Sequence, residues 1–480
     1  MTLARWMMVG CLAIGCGGSH GASGGDAAGS GNDAKELDGT VGGADITGTA
    51  VIHHVTETTT IDTPVDLSSH PITAYFETSP GQFASYTAVA TTNGGFSIAG
   101  VPAGPYAIAI VRSAAEGGTA YIETAQRTID LSWTEAGRID GVEPTGATEL
   151  DGLLSGLEAW QNGDALITTC DNLPGIPIHG TNMVVVDATT FNSSNGPLMV
   201  SGTTTIPLID GTKGDQVWVV QTRAPDYASS EYGRIVKAAS SSSIVMEDQI
   251  GGTMSATLAD VTQTAVTFTW KAEDFASYAT ALAPDQVYVD QSWGAYAGLD
   301  VTRYPVTLFT YDALSAADAT PSFSYGDPYP SGWTRTAFAS GFAKTDVLPI
   351  PTWVVSEPLA SLNGSTLQPV VSPATSVMLG TTPAFSGGTG VGLAPKITWS
   401  APALGTPTSY DVVVWTANTT TTIMTKATSV TVPPGVLSAG NQFGFAVRAH
   451  VDATRDPEVA PFAIDTTYAY FDVSSAWFTP

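Results

Sequence analysis

The sequence predicts an all-β protein, with three tandem β-sandwich-like domains behind a signal peptide and a flexible linker. From about residue 45 onward, short runs of alternating apolar and polar residues are separated by Gly, Pro, Asn and Asp, which is typical of strands and turns. The 480 residues suffice for two to four domains, and the 43% hydrophobic fraction suffices for their cores. Charged residues make up only 13%, so Thr, Ser, Asn and Gly must supply much of the polar surface.

The first sixteen residues have the pattern of an export signal. Arg5 is followed by an apolar run over residues 6–14, and the small residue Gly15 stands directly before Cys16. The run has about half the ~20 residues that a membrane-spanning helix needs. The stretch Ala13-Ile14-Gly15-Cys16 resembles the lipobox of bacterial lipoproteins, and this resemblance implies that Cys16 carries the lipid. The alternative is a plain secretory signal in which Cys16 is incidental.

Residues 17–43 form the predicted linker. Most of them are Gly, Ala, Ser, Asn and Asp, which cannot bury apolar surface and behave as a flexible coil. In the lipoprotein family a residue other than Asp after the lipidated Cys accompanies sorting to the outer membrane, and Gly17 fits that rule. We therefore expect an exported protein that is lipid-anchored to a Gram-negative outer membrane.

Net charge and cysteine content exclude several classes of function. The formal net charge of −27 argues against nucleic acid as a partner, because binding phosphates requires clusters of Lys and Arg. After signal cleavage only Cys16 and Cys170 remain, so neither an intrachain disulfide nor a cysteine-based metal site is expected. Cys170 lies in an apolar run and is expected to be a buried small hydrophobe.

The first folded unit is predicted over residues 44–130. Its predicted strands are 46–54, 72–76, 86–91, 96–98 and 106–111. The segment Gly94-Gly95-Phe96, followed by Gly100-Val101-Pro102-Ala103-Gly104-Pro105-Tyr106 and an alternating strand, resembles the carboxypeptidase regulatory-like domain, which is a transthyretin-like β-sandwich. The resemblance implies a structural or adhesive module without peptidase residues.

A linker with a short helix is predicted next, over residues 131–165. Leu150, Leu153, Leu154 and Leu157 recur at helical spacing within residues 149–161, and Thr148 could cap that helix.

Residues 166–348 form the predicted central β-rich domain, and they match no family that we can assign. Its strands are predicted over residues 183–186, 216–221, 235–239, 265–270, 286–290 and 306–311. One helix is predicted over residues 271–283, ending before Pro284.

The last unit, residues 349–480, resembles a fibronectin type III domain. Trp399 is followed by a strand that begins with Tyr410, and Leu437 precedes an alternating aromatic strand. Phe443 stands where that family usually has Tyr. The resemblance implies a binding or spacing unit and no chemistry.

Two loops are candidate ligand sites. Tyr325, Tyr329 and Trp333 cluster in a loop rich in turn residues, and their rings could stack on sugars. The alternative is that these aromatics plug the open end of a sandwich. A second loop carries Asp452, Asp456 and Glu458, whose oxygens could bind Ca²⁺, although a solvated loop is the default. No other cofactor is expected.

The sequence contains no pattern that indicates catalysis. No His-Glu-x-x-His zinc motif and no Gly-x-x-x-x-Gly-Lys phosphate loop is present. We therefore expect a cell-surface structural, adhesion or ligand-binding protein whose partners are the membrane and surface glycans or proteins. The alternative is a polysaccharide-active or other hydrolytic enzyme whose site lies in the central domain.

Overall fold

The computed structural model describes residues 43–113, 116–171, 179–181, 187–193, 197–201, 207–223, 233–282, 288–299, 306–313, 317–344, 351–463 and 466–480. Cys16, the predicted signal peptide, the linker as far as residue 42 and the predicted strand 183–186 lie outside these residues. The described residues form an all-β protein of several sandwich-like bodies, and this prediction is confirmed. Among them, no helix is long and apolar enough to cross a bilayer.

The N-terminal body, residues 43–136, is a sandwich around a core of apolar side chains that includes Ile46, Phe96 and Ile122. Its strands are β1 (Ile46–Thr49), β2 (Val51–Val55), β3 (Thr60–Pro64), β4 (Ile72–Ser79), β5 (Gln82–Thr87), β6 (Val89–Ala90), β7 (Gly95–Ile98), β8 (Tyr106–Ile110), β9 (Thr119–Thr124), β10 (Thr128–Asp130) and β11 (Trp133–Ala136).

The predicted strand 46–54 is in fact two strands that belong to different sheets. β1 pairs with β7 and β10, whereas β2 pairs with β3 and β11. The break falls at Ala50, whose N–H donates to the carbonyl oxygen of Gly94 and whose own carbonyl accepts from the N–H of Val65. Ala50 is buried, so the chain crosses from one sheet to the other inside the core.

The central body spans residues 148–344. Its strands are β12 (Thr148–Ser155), β13 (Ala165–Cys170), β14 (His179–Thr181), β15 (Phe191–Asn192), β16 (Met199–Ser201), β17 (Val217–Arg223), β18 (Gly233–Ser241), β19 (Gly252–Thr257), β20 (Ala259–Asp260), β21 (Gln263–Thr267), β22 (Thr269–Trp270), β23 (Tyr288–Gly298), β24 (Val306–Ala313), β25 (Ser322–Gly326) and β26 (Thr334–Lys344). The helix Ala272–Leu282 confirms the predicted one, with Glu273 and Asp274 in its first turn, where acidic side chains favour the helix.

The helix predicted over residues 149–161 is wrong, because β12 occupies most of this stretch. β12 is an interior strand, parallel to β19 on one side and antiparallel to β15 and β16 on the other. Leu150 and Leu154 are buried, whereas Leu153 is 51% exposed, as strand alternation requires. Two residues four positions apart share a face in a helix and in a strand, so Leu150 and Leu154 alone could not distinguish the two structures.

The C-terminal body spans residues 351–480. Its strands are β27 (Pro351–Pro358), β28 (Thr366–Leu367), β29 (Thr375–Leu379), β30 (Thr382–Pro383), β31 (Gly388–Thr389), β32 (Lys396–Ser400), β33 (Ser409–Trp415), β34 (Thr420–Thr425), β35 (Ser429–Thr431), β36 (Gly444–Asp452), β37 (Tyr468–Ser474) and β38 (Phe478–Thr479), and one helical turn spans Leu359–Leu362. The sheet β30-β29-β32-β35 faces the sheet β34-β33-β36-β37. Between them the buried rings of Trp399 and Tyr410 meet edge to face, with centroids 5.2 Å apart.

One continuous sheet runs through all three bodies. β27 pairs with β26 of the central body on one side and with β37 of the C-terminal body on the other. At the far side of the C-terminal body, β34 lies parallel to β9 of the N-terminal body. The spatial order is therefore central, C-terminal, N-terminal, which differs from the order along the chain.

Candidate functional site

The predicted aromatic loop is held in shape by one guanidinium group. The loop connects β25 with β26, and Arg335 of β26 reaches back into it. Its Nε donates to Asp327 Oδ2 at 2.8 Å, and its Nη2 donates to Asp327 Oδ1 at 3.2 Å and to the carbonyl oxygen of Tyr329 at 2.9 Å. Nη1 donates to the carbonyl oxygens of Pro330, at 2.6 Å, and of Trp333. The loop is therefore fixed by charge-assisted hydrogen bonds rather than by apolar packing alone.

The structure brings two of the three predicted site residues together. The rings of Tyr329 and Trp333 are stacked, with centroids 4.9 Å apart and planes 9° from parallel, and both side chains are buried. Burial raises the pKa of the Tyr329 hydroxyl far above its ordinary value. Tyr325 lies apart from this pair, half-buried on β25, with its ring 4.9 Å from that of Phe309. This geometry favours the plug over an open stacking surface, and sugar binding by these residues stays a prediction.

A groove of about 330 Å³ lies beside the loop on the central body. Its apolar lining includes Trp218 of β17, whose ring meets that of Tyr329 edge to face at 5.7 Å. Asp327 and Pro328 of the loop and Asp260 of β20 also line it. Hydroxyl groups come from Ser240 and Thr262. The groove thus combines an aromatic side chain with carboxylates and hydroxyls.

Both carboxylates of the groove are already paired with cations. Asp327 accepts the two hydrogen bonds from Arg335, and Lys237 Nζ lies 2.7 Å from Asp260 Oδ1. The groove can accept hydrogen bonds from a polar ligand at the carboxylate oxygens that these cations leave free.

The carboxyl groups with raised pKa values lie away from the groove lining. Burial raises the pKa of Asp171 to about 7, and burial also raises that of Glu123 to about 7. Asp411 is buried but is held ionised by Arg455, which donates to both of its oxygens, and its Oδ2 lies 3.2 Å from His450 Nε2. Burial lowers the pKa of His450. The ion pair of Asp411 with Arg455 joins β33 to the loop that follows β36.

The predicted calcium loop uses its carboxylates within the protein. Asp456 and Glu458 lie 2.8 Å and 3.4 Å from Lys426 Nζ, and Asp452 Oδ1 accepts hydrogen bonds from the N–H groups of Thr454 and Arg455. Across the described ranges, no three His, Cys, Asp or Glu side chains are grouped so that they could hold a metal ion. Cys170 is buried, as predicted, and its thiol donates to the carbonyl oxygen of Asp171 at 3.2 Å.

Trp218 and Asp260 are the groove residues that sequence reasoning missed. The alternation in β17 separates the two faces of this strand but does not mark a ligand site. Val217 and Val219 are buried on one face, and Trp218 is half-buried on the other, where it packs against a second apolar cluster. The groove itself could not be predicted, because β17, β18, β20 and the aromatic loop are distant in the chain.

No protein-family model matches the chain, and no curated protein matches it. Among solved structures, the FN1-FN3 domains of chicken CNTN1 are 8% identical, with 79% of this chain and 85% of that chain covered and a TM-score of 0.14. A Ca²⁺-stabilized adhesin with which an Antarctic bacterium binds ice is 14% identical, with 92% of this chain and 100% of that chain covered and a TM-score of 0.15. TM-scores this low assign neither fold nor function, so the family resemblances stay predictions.

Proposed function

We propose that this protein is a lipid-anchored structural and adhesion protein of the bacterial cell surface. The observation that carries the proposal is the continuous sheet, which joins the three bodies through β27 and through the β9–β34 pair. Backbone hydrogen bonds across both joints would resist bending between the bodies. Such a unit is suited to presenting a binding surface away from a membrane, and the linker of residues 17–43 would tether it there.

The proposed anchor is Cys16, and the proposed location is the outer membrane. Two lines of sequence support this: the lipobox-like stretch ending at Cys16, and the Gly-rich composition that follows it. More than one acyl chain gives stable anchoring where a single chain is marginal. Surface glycans or surface proteins are the proposed partners, and the net charge of −27 favours neutral or basic ones.

The experiment compares wild-type protein with Cys16→Ser in a Gram-negative host. Cys11→Ser is the matched control, because it removes a cysteine from the same signal region without touching the lipobox. We expect wild type and Cys11→Ser in the membrane fraction and Cys16→Ser in the soluble fraction. Cells with anchored protein should adhere to glycan- or protein-coated surfaces more than cells with Cys16→Ser. Membrane-bound Cys16→Ser would contradict the anchor, and equal adherence would contradict the adhesion role.

A polysaccharide-active enzyme is the second candidate, because Asp260 and Asp327 share one groove. The release of reducing ends from soluble polysaccharides tests it directly. The adhesion proposal expects no release by wild type. Release that disappears in Asp260→Asn or Asp327→Asn would establish the enzyme instead.

A further inference from the structure

Two tryptophans at one end of the C-terminal body form a right-angled corner. Trp415 closes β33, and Trp477 directly precedes β38. Their ring centroids are 6.5 Å apart, and the ring planes are 86° from parallel. Trp477 is 46% exposed and Trp415 is half-buried, so the corner is open to solvent. This pair differs from the buried stack of Tyr329 and Trp333.

Gly444 leaves room for the Trp415 ring. It lies opposite Trp415 in the pairing of β33 with β36, and a Cβ atom there would lie only 2.7 Å from three atoms of the indole. The ring therefore lies across the backbone of β36, where any larger residue at position 444 would displace it. A strand glycine beside a large aromatic marks a place where the aromatic lies close to the backbone.

A Gly-rich segment lies against the backbone of Trp477. The segment of residues 385–393 contains β31, which pairs in parallel with β38. The Gly388 N–H lies 3.4 Å from the carbonyl oxygen of Trp477, and the Gly387 backbone has φ +65°, with its Cβ position 2.8 Å from that oxygen. On the other side, Phe443 and Phe478 exchange two backbone hydrogen bonds of 2.9 Å. The chain that carries Trp477 is thus fixed on both sides.

The stretches of chain that carry and flank the two tryptophans contain no charged residue, although the protein has a net charge of −27. This holds for residues 384–394, 412–420, 437–447 and 475–480. The turn after Trp415 exposes Asn418, Thr419 and Thr420. The segment paired with β38 exposes Phe385 and Leu393. The stretches around the two rings thus combine apolar side chains with hydroxyl and amide groups and carry no charge.

We propose that Trp415 and Trp477 form a binding site for a neutral polysaccharide strand. Sugar rings have C–H faces that pack on the negative face of an aromatic ring, and their hydroxyls bond to polar groups around it. The uncharged surroundings select against ionic ligands, and the acidic protein as a whole repels anionic polymers. This site would be the ligand-binding part of the adhesion function proposed above.

The test uses the purified chain without its lipid, so it does not depend on the anchor. Native gels are cast with hydroxyethyl cellulose, with galactomannan or with the anionic polymer alginate. We expect at least one neutral polymer to retard wild type and alginate not to do so. Trp477→Ala should weaken the binding about tenfold, equivalent to about 1.4 kcal/mol. Trp477→Phe should retain part of it.

Two further variants keep the test decisive. Ile250→Ala removes an exposed apolar side chain (79% exposed) from the central body, and it should bind like wild type. Gly444→Val displaces the Trp415 ring, and it should weaken the binding while Trp477 is kept. No retardation by either neutral polymer would overturn the inference, as would unchanged retardation of both Trp477→Ala and Gly444→Val. Binding of alginate or of protein ligands alone would also overturn it.

Discussion

Tyr121 donates a hydrogen bond of 2.9 Å from its hydroxyl to the carbonyl oxygen of Pro434, which lies 313 residues later in the chain. Tyr121 belongs to β9, the strand by which the N-terminal body joins the C-terminal body. Thr124 Oγ1 and the Asp130 N–H add hydrogen bonds to the carbonyl oxygens of Glu458 and Val459. The first and last bodies of the chain are therefore joined by side chains as well as by strand pairing.

Replacing Tyr121 with Phe should loosen this joint. The variant loses a hydrogen bond worth about 1 kcal/mol and leaves the Pro434 carbonyl without this donor. We expect faster amide hydrogen exchange in β34, the strand paired with β9. Tyr106→Phe is the matched control, because that hydroxyl donates to Gln126 within the N-terminal body. Equal exchange of β34 in Tyr121→Phe and wild type would contradict a role in the joint.

Glu123 should make the joint sensitive to pH. Burial raises the pKa of its carboxyl from 4.5 to about 7, Glu77 raises it further, and Thr425 and Lys396 oppose the change. Between these pH values the folded state holds a proton that the unfolded state has released, so the free energy of unfolding falls as pH rises. Once the pH exceeds about 7, the free energy of unfolding has fallen by on the order of 3 kcal/mol, because each unit of pKa shift corresponds to about 1.4 kcal/mol.

Glu123→Gln should remove this loss. Its melting temperature should exceed that of wild type at pH 8.5 and should match it at pH 4.5, where the wild-type carboxyl is protonated in the folded state. Glu77→Gln removes a neighbouring charge and keeps an amide oxygen that can accept from the Gly81 N–H, so it should give a smaller gain at pH 8.5. If wild type and Glu123→Gln kept the same difference at both pH values, the carboxyl would not titrate in this range.

The buried pair of Asp215 with Arg138, which lies in the segment before the central body, should contribute strongly to the stability of that body. Arg138 donates to both oxygens of Asp215, at 2.8 Å and 3.0 Å, and the Asp215 side chain is fully buried. Asp215→Ala leaves the Arg138 charge without this partner and should cost about 3–5 kcal/mol in urea unfolding. Asp140→Ala is the matched control.

Asp140 also contacts Arg138, but its side chain is 54% exposed. Water can replace that contact, so the loss in Asp140→Ala should stay below about 1 kcal/mol. If Asp215→Ala and Asp140→Ala lowered the free energy of unfolding by similar amounts, burial would not determine the strength of these ion pairs.

Arg335→Lys should release the aromatic loop. Lysine cannot reproduce the five contacts that Arg335 makes with Asp327 and three carbonyl groups. We expect a loss of about 2 kcal/mol and a weaker near-ultraviolet circular dichroism signal from the stacked Tyr329 and Trp333. Lys271→Arg, in a half-exposed pair with Asp318, should leave both measurements unchanged. An unaltered aromatic signal in Arg335→Lys would mean that the stack holds the loop by itself.

Much of the secondary structure could be predicted from the sequence, because apolar alternation and turn residues determine strands and turns within a few neighbouring positions. The strand that begins near Tyr410 and the helix Ala272–Leu282 follow from such patterns. The helix predicted around Leu150 and Leu154 is wrong because residues four apart share a face in a helix and in a strand. Pairing with β15, β16 and β19 decides between the two.

The arrangement of the three bodies and the position of the groove could not be predicted from the sequence. Both depend on contacts between distant segments, such as Trp218 with Tyr329 or β9 with β34. Aromatic content pointed to Tyr329 and Trp333, but composition cannot distinguish a ring that fills a core from a ring that faces water. Exposure separates these buried rings from Trp477, and exposure is a property of the assembled sheets.

The parallel pairing of β9 with β34 also sets the order of events during synthesis. A chain is made from its N-terminus, so β9 is complete long before Thr420–Thr425 can pair with it. Until then β9 has an open edge, and such edges invite pairing with other chains. Contacts this distant in sequence also form slowly. Folding of this protein should therefore finish only after nearly the whole chain has been synthesised.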